Sequence, residues 1–272
     1  MKNLKYFINL LLISFMAVSF PLKAAELTCT NGDVTGLGAA DYCFTVPTYY
    51  GITAYEMGVC TTNPAAPTTA SKFDATTCEI VFQSAAGSLV EVQNGVTSPL
   101  TGTVSRPPNG TYTYGYMRLN NTFLIKGSVD FGAAHGVISN RYCTSPTATT
   151  DNETGATGTC SATPGATPGT VSTELTDFSG GDSNNVTSYT VGNLTAYLLD
   201  SNQFLITTAE TTQAGAEGLL GIQQFTSPIT ISDDTVSMDA SLKVSQGMTI
   251  SVLGANSVGF DSGPFEVVLT VK

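Results

Sequence analysis

The sequence predicts an all-β fold, an antiparallel two-sheet β-sandwich carrying one long loop insertion. Three observations predict it. Period-two alternation of apolar and polar residues recurs along the chain, while no segment sustains a 3.6-residue apolar period. A dozen or so short alternating runs are separated by Gly, Pro, Asn and Asp, the residues that turns require. Charged residues make up only 11% of the chain, against ~25% in an ordinary soluble domain. Thr, Ser, Asn and Gly therefore supply most of the polar surface, a habit that suits exported β-proteins.

The chain opens on Met1 to Ala25, with Lys2 and Lys5, an apolar run from Phe7 to Phe20 broken by Asn9, Ser14 and Ser19, and then Pro21-Leu22-Lys23-Ala24-Ala25. That is the charged, apolar and small-residue order of a secretory signal peptide, with cleavage expected after Ala24 or Ala25. An uncleaved anchor is the alternative, and the apolar run falls short of the ~20 residues a spanning helix needs. Cys29 follows Glu26-Leu27-Thr28 rather than the small residues that precede a lipid-attached cysteine. The expected protein is bacterial and exported, to the periplasm, the cell surface or the medium, with no transmembrane segment in its mature form.

Six cysteines follow the leader: Cys29, Cys43, Cys60, Cys78, Cys143 and Cys160. An even number in an exported chain favours disulfides. The sequential pairing, Cys29 with Cys43, Cys60 with Cys78 and Cys143 with Cys160, closes three short loops rich in Gly, Pro, Thr and Asn. Zinc is the rival reading. No two cysteines have paired-ligand spacing, and His135 is the single histidine.

In order along the mature chain, strands are expected at Tyr49 to Val59, Cys78 to Gln83 and Leu89 to Val92. Next comes a hairpin over Arg106 to Gly127, with Pro107-Pro108-Asn109-Gly110 as its entry turn and Asn120-Asn121 as its reversal. Val137 to Cys143, Ser188 to Leu199, Phe204 to Thr208 and Leu219 to Phe225 follow. The clearest alternation is near the C-terminus, at Val236 to Val244, Met248 to Val252 and Phe265 to Val271. From Thr144 to about Asn185 the composition changes to Thr, Ser, Pro, Gly and Ala, with the near-repeat Ala162-Thr163-Pro164-Gly165-Ala166-Thr167-Pro168-Gly169. So few large apolar residues predict a mobile insertion pinned by Cys143 and Cys160. The domain reading is one sandwich over 26–272; the alternative is two small ones, 26–143 and 186–272.

Three phrases carry a resemblance. They are Leu89 to Leu100, then Pro108 to Leu119 with Gly110, Thr111, Tyr112, Thr113, Arg118 and Leu119, and then Pro228 to Val244. Their order resembles a bacterial exported β-sandwich family of unknown function, related in fold to transthyretin-like, immunoglobulin-like and carbohydrate-binding-like modules. Tyr114, Gly115 and Tyr116 make the hairpin longer than the family pattern. The resemblance implies one domain, since the phrases flank the insertion, and it brings no catalytic residues with it.

Charge narrows the partners. Lys2, Lys5 and Lys23 fall in the leader, so seven basic residues remain against 21 acidic ones, a formal charge of −14. Nucleic acid and anionic membranes, which need basic patches, are disfavoured. No G-x-S-x-G, H-E-x-x-H or phosphate-cradling glycine pattern occurs, and His135 sits in a small-residue loop without a motif. Glu56, Glu79 and Glu91 are the carboxylates a glycosidase reading would use, and exposed strand carboxylates are the plainer account. No cofactor is expected. Calcium is the one metal considered, at the Asp233-Asp234 turn, with Asp151-Asn152-Glu153 and Gly180 to Asn185 as further oxygen-rich loops.

Tyr112, Tyr114, Tyr116 and Arg118 share one face of an extended strand. Exposed, they form an aromatic strip for a sugar or a partner protein; turned inward, they line the sandwich with their hydroxyls at its rim. The sequence thus supports a non-catalytic structural or adhesive protein that binds other surface proteins or itself. The strand Pro264 to Lys272 would then be an edge for strand addition. A carbohydrate-binding module using the tyrosine strip on glycans is the alternative.

Overall fold

The computed structural model describes residues 26–28, 34–93, 96–132, 135–151, 155–178, 183–189, 191–207 and 215–272. The expected leader and Cys29 lie outside the described residues. Among those described, the chain forms nineteen strands and no helix, so the fold is all-β. No helix there is long and apolar enough to cross a membrane.

The first strands are β1 (Glu26–Thr28), β2 (Tyr42–Thr45), β3 (Tyr49–Cys60), β4 (Cys78–Gln93), β5 (Val96–Thr97) and β6 (Thr103–Val104). Then come β7 (Gly110–Lys126), β8 (Ser128–Asp130), β9 (Tyr142–Thr144), β10 (Ala148–Asp151), β11 (Ala156–Ser161) and β12 (Val171–Glu174). Beyond these lie β13 (Asn184–Tyr189), β14 (Gly192–Leu199), β15 (Gly218–Ile231) and β16 (Met238–Lys243). The chain closes on β17 (Met248–Gly254), β18 (Ser257–Ser262) and β19 (Glu266–Val271).

They assemble as three units. A ten-stranded sheet runs β13-β14-β15-β7-β3-β4-β5, with β6 on β4 and the β10–β12 pair added at β7. A seven-stranded sheet runs β1-β2-β17-β18-β11-β9-β8, and β16 with β19 makes a separate two-stranded ribbon. Pairing is antiparallel except between β1 and β2 and between β10 and β12.

β7 is the axis of the larger sheet. One edge bonds to β3, and the other bonds first to β15, from Gly110 to Leu119, and then to β12, from Thr122 to Ile125. The expected reversal at Asn120-Asn121 is corrected: β7 runs straight through it. The two asparagines instead form a bulge, since Ile52 faces Phe123 while Ala54 faces Leu119. The Asn121 amide, 4% exposed, donates to the carbonyls of Leu175 and Ala216, at 3.2 and 2.8 Å. Asn120 Oδ1 accepts from the Thr122 amide at 2.7 Å. A turn-forming side chain here closes the gap where β7 changes partner.

The expectation of a mobile insertion is corrected as well. Between residues 144 and 185 the chain forms β10, β11 and β12 and enters both sheets. Val171 and Thr173 are fully buried, and Gly169 and Ser145 exchange hydrogen bonds at 2.7 Å that hold the intervening loop down. A four-residue strand needs only two inward side chains when β7 and β18 supply the rest of the core. Composition within the stretch misses that. Elsewhere Ser188 to Leu199 is a hairpin rather than one strand, because Gly192, at φ 142°, turns where a Cβ would collide with the Gln224 carbonyl. Val137 to Cys143 shortens to β9, and of Phe204 to Thr208 the described residues, 204–207, keep a bridge at Leu205.

One main core joins the three units. Tyr50, Phe123 and Phe265 lie with ring centroids 6.0–6.2 Å apart, continuous with Ile250 and Phe260 of the smaller sheet. A second cluster, around Tyr116, Leu199 and Leu220, lies on the opposite face of the ten-stranded sheet. Their neighbours Met117, Leu198 and Leu219 all belong to the main core, as period-two alternation requires. The disulfides Cys60–Cys78 and Cys143–Cys160 each link directly opposed residues of adjacent strands. Cys43 is disulfide-bonded too.

Candidate apolar binding site

Between the inner face of the ten-stranded sheet and the β16–β19 ribbon lies a cavity of about 630 Å³. Small-molecule pockets span roughly 300–1,000 Å³. Ile52, Ala54 and Met57 of β3 with Met117 and Leu119 of β7 form its floor, and Met238, Leu242, Val267 and Leu269 of the ribbon form its roof. Alternation builds both walls. In β16, Met238 and Leu242 turn toward the core while Asp239, Ser241 and Lys243 stay exposed. The space persists because the ribbon is hydrogen-bonded to neither sheet, so no ladder draws it to the spacing of a paired strand. Three methionines add flexible, polarisable surface that adapts to irregular occupants.

Val104 and Val236, also in the lining, are 73% and 88% exposed and make the mouth apolar. Arg106 shapes the mouth from one side. Its Nη2 donates to the Ser232 carbonyl at 2.7 Å and to Asn109 Oδ1 at 2.8 Å, and its Nη1 donates to the Pro107 carbonyl at 3.3 Å. Asn109 in turn donates to Asp233 at 2.5 Å. On the other side Asp239 is ion-paired with Lys272.

The tyrosines do not form an exposed strip, which corrects that expectation. Tyr112 and Tyr116 are 2% and 3% exposed, and they belong to different clusters. Tyr112 shares the main core with Met117 and Leu119, residues of opposite parity, and lies where β15 is bulged between Gln224 and Ile229. Its hydroxyl donates to the Pro108 carbonyl at 2.8 Å. Tyr114 and Tyr116 face outward under the loop from Thr61 to Thr77, where Phe73 packs on Tyr116 at 4.8 Å. Burial raises the Tyr116 phenol above its ordinary pKa, and its hydrogen bond to Glu56 adds to the shift. Arg118 lies 4.0 Å from Glu56, bonds Gln203 at 2.9 Å and lines a polar cleft of about 220 Å³ with Tyr55 and Glu217.

The remaining candidates stay apart. His135 Nδ1 accepts from the amides of Val137 and Ile138, so Nε2 carries the proton and donates to the Leu37 carbonyl at 2.7 Å. The ring pins two loops. Glu56 holds Tyr116 and Gln83, and Glu91 holds Tyr49, whose phenol burial and that bond push up to about 12. Glu79 is exposed, and none of the three lines the cavity. Asp233 is engaged by Asn109, and Asp234 is exposed beside it. Among the described residues no group of three or more His, Cys, Asp or Glu could hold a metal. The loops at 152–154 and 179–182 lie outside the described residues.

The cavity was absent from the sequence expectations, though its signal was visible: the alternating runs Val236 to Val244 and Phe265 to Val271 supply the roof. What alternation does not show is which floor those runs face and at what distance. No protein-family model, curated protein or solved structure matches the chain.

Proposed function

We propose that this chain is an exported, non-catalytic β-sandwich protein that holds an apolar small molecule between its larger sheet and the β16–β19 ribbon. The cavity carries the reading: about 630 Å³ walled mainly by Ile, Leu, Val and Met is space that close-packed interiors fill with side chains. The leader and the disulfides support export, since such bonds persist in oxidising compartments. Commitment of His135 and Glu56 to structural hydrogen bonds supports a role without catalysis. Titration with the neutral fluorophore N-phenyl-1-naphthylamine tests it. Saturable binding at one site is expected, and Ala54→Phe, which fills the floor, should weaken it about tenfold or more, ~1.4 kcal/mol, while the thermal midpoint shows that the fold survives. Unsaturable binding, or binding indifferent to both Ala54→Phe and Met117→Phe, would sink the reading.

Surface or self-association is the second reading. Val104 and Val236 stand exposed at the mouth, and the ribbon's outer edges pair with no other strand among the described residues. An assembly that dissociates when the fluorophore binds would favour it.

A further inference from the structure

We infer that the cavity takes an uncharged single-chain amphiphile, with its tail between sheet and ribbon and a hydroxyl-like head at the mouth. The inference rests on the apolar-ligand reading above and adds the ligand's chemistry. Size selects one chain. At the ~30 Å³ that a water-sized unit occupies, about 630 Å³ holds on the order of 20 heavy atoms, enough for one long alkyl chain and a small head but not for a two-chain lipid. Shape agrees. The floor runs from Ile52 to Met57 along β3, five strand steps of at most ~3.3 Å, up to roughly 17 Å, which gives an extended chain a track to lie along.

Charge selects the head. Arg106, a cation of the lining, is engaged, both of its Nη atoms bonding to loop acceptors, and the lining carboxylate of Asp239 is paired with Lys272. Three of the five N–H donors of Arg106 are thus spent on loop acceptors, and a carboxylate or phosphate head would meet that occupied group while entering a strongly acidic protein. An ammonium head would have to share Asp239 with Lys272. A hydroxyl needs neither, and Ser105, Ser237 and Ser241 stand exposed around the opening to meet it.

Three twelve-carbon probes that differ only in head charge test this: dodecanol, dodecanoate and dodecyltrimethylammonium. Each displaces N-phenyl-1-naphthylamine from the full disulfide-intact protein, at low salt and below its micellar concentration. Dodecanol should compete at least about tenfold better than either ion. Lys272→Ala, which releases Asp239, should improve the cationic probe several-fold and leave dodecanol unchanged. Dodecanoate competing as well as dodecanol overturns the head assignment and leaves the apolar cavity standing. If none of the three competes while the fluorophore still binds, the single-chain inference falls; if the fluorophore does not bind either, the cavity reading falls with it.

Discussion

The two faces of the ten-stranded sheet are covered in different ways, and the difference decides where a ligand can go. On the outer face the loop from Thr61 to Thr77 lies over Tyr114, Tyr116 and Leu220. It is closed at its ends by Cys60–Cys78, bonded internally from Asp74 to Ala65 and anchored by the Leu205 amide on the Thr68 carbonyl. On the inner face the ribbon touches the sheet only through side chains and leaves about 630 Å³ beneath it. A cover held by a covalent link and main-chain hydrogen bonds packs down; one held by apolar contact alone can stand off.

Three changes break or sharpen that contrast. The largest effect is expected inside the main core, away from the cavity, where Phe123→Ala should cost about 3–5 kcal/mol in denaturant unfolding. Met117→Ala should cost only about 2 kcal/mol, because the cavity already denies Met117 contacts on one side. Equal losses would mean that Met117 is packed as closely as Phe123 and that the ribbon leaves no space over it.

A second change touches neither cover. Burial raises Asp261 from 3.8 to about 7, Asp151 adds repulsion, and the hydrogen bond from the Ser262 amide opposes the shift. A carboxyl held above its unfolded value stabilises the fold below pH ~4, and that stability is lost as pH rises through about 7. Asp261→Asn should therefore gain up to about 4 kcal/mol over the parent at pH 8 and nothing at pH 4. Melting curves at the two pH values check this, and fluorophore affinity should not change.

The third is removal of the outer staple. Cys60→Ser with Cys78→Ser should cost about 3 kcal/mol yet alter fluorophore affinity less than about twofold. A collapse of binding in that variant would show that the two faces are coupled.

Legibility in the sequence followed the range of each signal. Alternation marked the chain around Tyr49–Cys60 and Met248–Gly254 closely, since each side chain's face is set by its own backbone. Asn120-Asn121 misled because Asn serves turns and bulges equally, and only the presence of β12 beside β15 decides between them. Val171 to Glu174 looked too polar to fold because its apolar partners are on β7, some fifty residues earlier. The tyrosines share parity on paper, yet Tyr112 packs into the main core and Tyr116 into the other cluster, a division that only the packed sheet shows.

By itself the sequence determined an all-β chain: strand and turn chemistry are local, and eighteen or so residues around each position contain them. Tertiary structure alone decided which residues line a cavity. Whether Met57, Met117 and Met238 meet a neighbour or an empty volume depends on how far a ribbon with no main-chain bonds to either sheet stands from the floor. That distance belongs to the packed whole and to no segment of it.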